Sequence, residues 1–169
     1  MDARQWAAFI LRPVADDMAP ADDEWMRRLA AVGDRLFTEA MTDHDAILLA
    51  EYAVGDPAAW DALQAAAGWR LSRAMTMPKA FAEFVALALV GGRPQPKGRP
   101  SKAGRDGFIA GVMLALCRAH DLRPTRSGSK GDKADSAASI VAEALNMTED
   151  ALAKIWARSE ARRYWKATR

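Results

Sequence analysis

Apolar residues recur at spacings of three and four along most of the chain, the period of an amphipathic helix. Ala3 to Arg12 puts Trp6, Phe9 and Ile10 on one helical face, and Pro13 is expected to end that helix. In "DDEWMRRLAAVGDRLFTEAM" the apolar positions Trp25, Leu29, Val32, Leu36 and Phe37 follow the same period. Its opening acids suit a helix N-terminus, and Gly33 weakens it without breaking it. "DHDAILLAEYAVG" reads as a shorter helix stopped by Gly55. Asp56 and Pro57 then supply a cap and a first helical residue for "AAWDALQAAAGW". A further helix carries Phe81, Phe84, Val85, Leu87 and Ala88 and stops at Gly91 and Gly92. It is apolar nearly all round, which predicts a place at the centre of an N-terminal bundle.

The pattern changes at "GGRPQPKGRPSKAGR", Gly91 to Arg105, where prolines, glycines and cations replace apolar residues and predict a linker. Helical periodicity resumes with Phe108, Ile109, Val112, Met113 and Leu116. Asp121 to Asp135 is polar and aperiodic, long for a connection inside a compact domain. In the next stretch, "SAASIVAEALNMTEDALAKIWARS", Ala138, Val141, Ala142 and Leu145 form one apolar face. Asn146 tolerates the left-handed conformation of a tight turn, and Thr148 can cap a second helix through its hydroxyl. Leu152, Ile155 and Trp156 would pack that second helix back on the first.

Those residues resemble the helix-turn-helix of bacterial and phage regulators, with Asn146 in the place usually held by glycine. The resemblance spans residues 136–159 and extends to the helix at 106–119 as a supporting third helix. Composition and periodicity predict an all-α chain with an N-terminal helical bundle, and the resemblance adds a C-terminal trihelical helix-turn-helix module. The expected divisions are an acidic bundle at 1–90, a basic Pro/Gly linker at 91–105 and a basic module at 106–169. The resemblance also implies a reading helix exposing Glu149, Asp150, Ala153, Lys154, Ala157 and Arg158. The two acids oppose contact with phosphates, although a helix N-terminus welcomes them.

Charge supports the same division. Residues 1–92 hold 8 Lys and Arg against 14 Asp and Glu, and residues 93–169 hold 16 against 8. Such asymmetry is a signature of nucleic-acid contact by the basic part, and equally of two halves that attract each other. If the last helix runs on, Lys154, Arg158, Arg162 and Lys166 recur every four residues as a basic stripe, with Arg163 beside them. The segment around Lys97, Gly98, Arg99, Pro100 and Lys102 resembles an AT-hook, which implies a basic arm in the minor groove. Arg105, Arg126, Lys130 and Lys133 complete the expected cationic contacts, which would set affinity and salt dependence rather than sequence preference. Trp165, near the basic end, is a candidate stacking residue.

No cofactor or metal is expected. His44 lies between Asp43 and Asp45, but neighbouring helical residues point apart and His120 is remote. Cys117 reads as a small core residue, and a Cys117–His120 pair lacks an orienting group. "SGSKGDK" lacks the Gly-Lys-Ser/Thr ending of a phosphate loop. A single cysteine and the absence of a signal-like start lead us to expect a cytoplasmic protein, and the longest apolar run is too short for a membrane span. The expected activity is non-enzymatic: duplex DNA binding in regulation or a phage-related accessory role. A homodimer or a protein partner would use residues 1–90. The alternative is a protein-interaction module, such as a phage-encoded inhibitor or adaptor acting on a host protein or nucleoprotein complex.

Overall fold

The computed structural model describes residues 1–15, 22–38, 43–77, 79–91, 103–126 and 134–168. The described residues are mostly helical and contain no strand, only an isolated bridge between Arg123 and Ser136. In chain order the helices are α1 (Ala3–Ala15), α2 (Asp22–Thr38), α3 (Asp43–Gly55), α4 (Pro57–Ser72), α5 (Lys79–Gly91), α6 (Ala103–His120), α7 (Ala137–Leu145), α8 (Glu149–Arg158) and α9 (Glu160–Ala167). Two expected boundaries move. α1 continues through Pro13 and ends two residues later at Ala15, so the lost backbone hydrogen bond and the ring's crowding of the carbonyl four residues back fall in its last turn. α6 starts at Ala103, inside the stretch read as linker.

The centre of the molecule is α6, not α5. Every residue from Gly107 to Cys117 is buried, and α6 touches α1, α2, α4, α7, α8 and α9. Its small residues Gly107, Ala110, Gly111 and Ala115 let neighbouring helices come close on several sides at once. α5 buries Phe81 and Phe84 against α3 and α4, where Phe84 meets the Trp60 ring edge-on at 4.9 Å, but leaves Val90 91% exposed. Within residues 1–91 it is α4 that touches α2, α3 and α5, so the expected centre of the N-terminal bundle falls on α4 rather than α5: central position depends on what packs against a helix rather than on its composition.

One continuous core joins the acidic and basic parts of the chain. α1 lies on α7, and Arg4 ties them by pairing with Glu143 of α7 and, at 2.8 Å, with Asp135. Among the described residues α2 and α4 share the most extensive helix–helix contact, fastened by Arg70 Nε donating to Asp34 Oδ1 at 2.7 Å. The loop after α6 is anchored at both described ends, since Ala137 N donates to the Arg123 carbonyl at 2.9 Å and Ala138 N to that of Pro124 at 3.0 Å.

The turn between α7 and α8 has the expected chemistry. Ser136 caps α7 in a reciprocal pair with Ser139. Asn146 takes the left-handed conformation (φ 51°, ψ 42°), and Met147 N closes the turn on the Ala142 carbonyl at 3.0 Å. Thr148 Oγ1 then accepts from Ala151 N at 3.3 Å and starts α8. Asn146 is exposed, so substitution there tests the backbone alone. Asn146→Gly is expected to hold stability or raise it slightly. Asn146→Val is expected to lose about 2 kcal/mol, since a β-branched residue resists positive φ. Denaturant melts of the two variants check this; equal midpoints would show that the turn imposes no such constraint.

Candidate nucleic-acid interface and adjoining cleft

α8 stands on α6 and α7 through Leu152, fully buried, and Trp156. With these two inward, geometry turns Asp150, Lys154, Ala157 and Arg158 outward, and all four are exposed. Glu149 and Ala153 lie at the edge of this arc, half-buried. The Glu149 carboxylate pairs with Arg126 at 3.4 Å, so one of the two opening acids is neutralised by a cation from the preceding loop. The pair is well exposed and adds little stability. Arg105, also exposed, brings Nη2 to 3.9 Å from Met147 Sδ, beside the turn. Arg105 and Arg126 thus flank the α7–α8 junction, while Lys154 and Arg158 occupy the outer arc of α8.

The expected stripe does not continue past Arg158. Ser159 is extended (φ −83°, ψ 152°), ending α8 and capping α9. Its Oγ donates to the Trp156 carbonyl at 2.8 Å and accepts from Arg162 N at 3.3 Å. A Ser followed by Glu160 was a legible N-cap signal that the charge periodicity obscured. Past this break the cations separate. Arg162 Nη1 turns back to the Ala157 carbonyl at 3.2 Å, a favourable place for a cation at a helix C-terminus. Arg163 grips both oxygens of Glu160, at 2.7 and 3.0 Å, and lines a small recess with Glu51 and Tyr52 of α3. Lys166 is exposed on α9. Trp165 is buried in the core, with only 9% of its surface open to solvent, so it offers no face for stacking. Lys97, Arg99, Lys102, Lys130 and Lys133 lie outside the described residues.

Next to α8 is a cleft of about 480 Å³ that sequence reasoning missed. One wall is α8, with Lys154, Ile155 and Arg158; the other is built from the N-terminal ends of α4, α6 and α9, with Asp56, Asp106 and Glu160. Asp56 caps α4: its Oδ1 accepts from Ala58 N at 2.9 Å and from Ala59 N at 3.3 Å. It also lies directly against α6, where a Cβ on Gly107 would sit 2.7 Å from that same oxygen. Glycine at 107 is thus what lets the carboxylate reach the cleft. The only sequence signal was the cap of α4, and nothing local tied residue 56 to residues 106–107.

Burial pushes the Asp56 carboxyl above its usual range, with Glu160 and Asp61 adding to the shift and the two backbone donors opposing it. Burial also pushes the Tyr52 phenol up, aided by Asp56, Glu160 and Tyr164. Tyr52 stacks on Tyr164 at 5.8 Å, and its hydroxyl has no hydrogen-bond partner among the described residues. Asp56 holds its proton more tightly folded than unfolded. Its contribution to stability is therefore full below the ordinary carboxyl value of 3.8 and is lost as pH rises through the higher folded value. Asp56→Asn keeps a good cap and removes this titration. The variant is expected to match or exceed the parent at neutral pH and to show a flatter stability profile between acid and neutral pH. Denaturant melts at a series of pH values check it; an unchanged pH profile would remove the buried-carboxyl account.

No family model, characterised protein or solved structure matches this chain. Among the described residues, no helix is long and apolar enough to cross a membrane.

Proposed function

We propose that this chain binds duplex DNA, with α8 as the helix that enters the major groove and α6 and α7 as its support. The observation that carries this reading is the outer arc of α8. Lys154 and Arg158 project from it, exposed, and neither has a carboxylate partner among the described residues. A major groove admits a helix of this kind, and cations on its outer face meet phosphates or base edges there. Arg105, beside the α7–α8 turn, would add a phosphate contact that positions rather than reads, while Arg126 is engaged by Glu149. The pairing of Glu149 with Arg126 removes one objection to the reading, leaving Asp150 as the exposed acid. The role that follows is regulatory, or that of a phage-related accessory factor.

Duplex binding followed by fluorescence anisotropy over a range of salt concentrations tests this. With two to four phosphate contacts, the logarithm of the binding constant should fall against the logarithm of salt with a slope of about −2 to −4. No binding at low salt, or binding indifferent to salt, would reject it.

A second reading, a protein-interaction module such as an inhibitor or adaptor, draws on a different observation. Neighbouring helices α3 and α5 leave Ile47 49%, Val54 56% and Val90 91% exposed, more apolar side chain than a solvated face needs. A partner or a second copy would cover it. Co-purification of one stoichiometric protein that survives nuclease treatment would favour this reading over the first.

A further inference from the structure

The cleft beside α8 has an unusual distribution of charge. Two cations, Lys154 and Arg158, line one wall, and two acids, Asp56 and Asp106, line the other. A third acid there, Glu160, is already held by Arg163. Among the described residues none of the other four closes an ion pair, either across the gap or elsewhere. Lys154 and Arg158 are exposed and remain solvated, so both cations stay open to a ligand at the cleft. The cleft encloses about 480 Å³, within the range of small-molecule sites.

Asp56 adds a more specific sign. It is only 7% exposed, yet its hydrogen bonds to Ala58 and Ala59 engage Oδ1 alone, and Oδ2 has no partner among the described residues. That second oxygen opens on the cleft, where a charged donor on a ligand would serve it better than water. Apolar side chains lie on both walls as well, Ala151 and Ile155 on α8 and Pro57 at the start of α4.

The charges decide the class of ligand. A simple anion would meet Lys154 and Arg158 but would also face Asp56 and Asp106. A simple cation would have the reverse difficulty. A molecule with opposite charges at its two ends satisfies both walls, and an alkyl spacer can rest on Ala151, Ile155 and Pro57. We propose that this cleft binds a small zwitterion, its ammonium facing Asp56 and Asp106, its anionic end facing Lys154 and Arg158, with a short alkyl body between. The assignment does not rest on DNA binding and is measured without DNA.

Isothermal titration calorimetry on the full chain tests it with ε-aminohexanoate as probe, and with hexylamine and hexanoate as matched molecules bearing one charge each. The zwitterion is expected to bind with a dissociation constant of about 1 mM or tighter, and each single-charge analogue at least about tenfold more weakly. Asp56→Asn preserves the α4 cap, and Asp106→Asn supplies a second variant away from that cap. Each should weaken the zwitterion about tenfold or more while leaving the weak binding of hexanoate unchanged or improved. Lys154→Ala should do the converse, sparing hexylamine. Absence of binding by the zwitterion, equal binding by either single-charge analogue, or indifference to all three substitutions overturns the proposal. Loss of duplex binding in the anisotropy experiment has no bearing on these heats, so the two readings fail separately.

Discussion

Gly33→Ala is expected to destabilise the protein by about 3 kcal/mol, whereas Gly68→Ala, on the partner helix, is expected to stabilise it by about 0.5–1 kcal/mol. Both substitutions add one methyl to a helical glycine, so propensity alone would make both favourable. Surroundings decide the sign. α2 crosses α4 so closely at Gly33 that a Cβ there would lie 2.1 Å from the Ala62 carbonyl oxygen, 2.6 Å from its carbon and 2.9 Å from Ala66 Cβ. Two of these atoms are backbone of a buried helix and cannot turn aside as a flexible side chain would. Relief requires the helices to separate, which opens the packing of Leu29, Val32 and Leu36. At Gly68 the added methyl would meet nothing within 4 Å. For a chain of this size the first change corresponds to a fall in melting temperature of roughly 6–12 °C. Calorimetric melts of the two variants and the parent measure both effects. A Gly33→Ala protein as stable as the parent would show that α2 and α4 do not meet this closely.

The largest expected functional effect is loss of duplex binding when Lys154 and Arg158 are both replaced by Ala. Affinity at low salt should fall about 100-fold, and the salt slope should shrink by about two, one for each phosphate contact removed. Both side chains are exposed and make no ion pair among the described residues, so stability should change by less than about 0.5 kcal/mol. Arg162→Ala separates the observed arrangement from a continuous stripe. Its guanidinium sits on the Ala157 carbonyl at the end of α8, so its removal should lower stability modestly and affect binding far less than the double change. Equal losses of affinity for Arg162→Ala and for Lys154→Ala would restore the stripe and remove α8 as the contact helix. A double variant that still binds duplex with the parent's salt slope would end the DNA proposal.

Much of the candidate interface was legible because its determinants are neighbours in the chain. Asn146 in the left-handed conformation, Thr148 capping α8 and Leu152 and Trp156 turned inward all follow from residues within a turn of one another. The break at Ser159 was legible in the same way and was overridden by a four-residue recurrence of cations, which assumes a continuous helix. Charge periodicity is the weaker signal, because a solvated cation gains little from its position, whereas a cap satisfies an otherwise orphaned backbone donor. The cleft was not legible, because it brings residues 55–57 against 106–107 and 151–160.

The sequence by itself determined that this chain is helical, where most helices begin and end, and how α7 turns into α8. Those outcomes depend on propensity, caps and turn residues acting over a few positions. Only the tertiary structure decided that α6 is central and that α4 rather than α5 is the hub of the N-terminal helices, that α1 rests on α7, that Arg126 neutralises Glu149 and that Asp56 lines one cleft with Lys154 and Arg158. Each of these joins residues distant in the chain. Such meetings depend on how closely elements can approach, and glycines at 33 and 107 permit two of the tightest, of α2 to α4 and of Asp56 to α6.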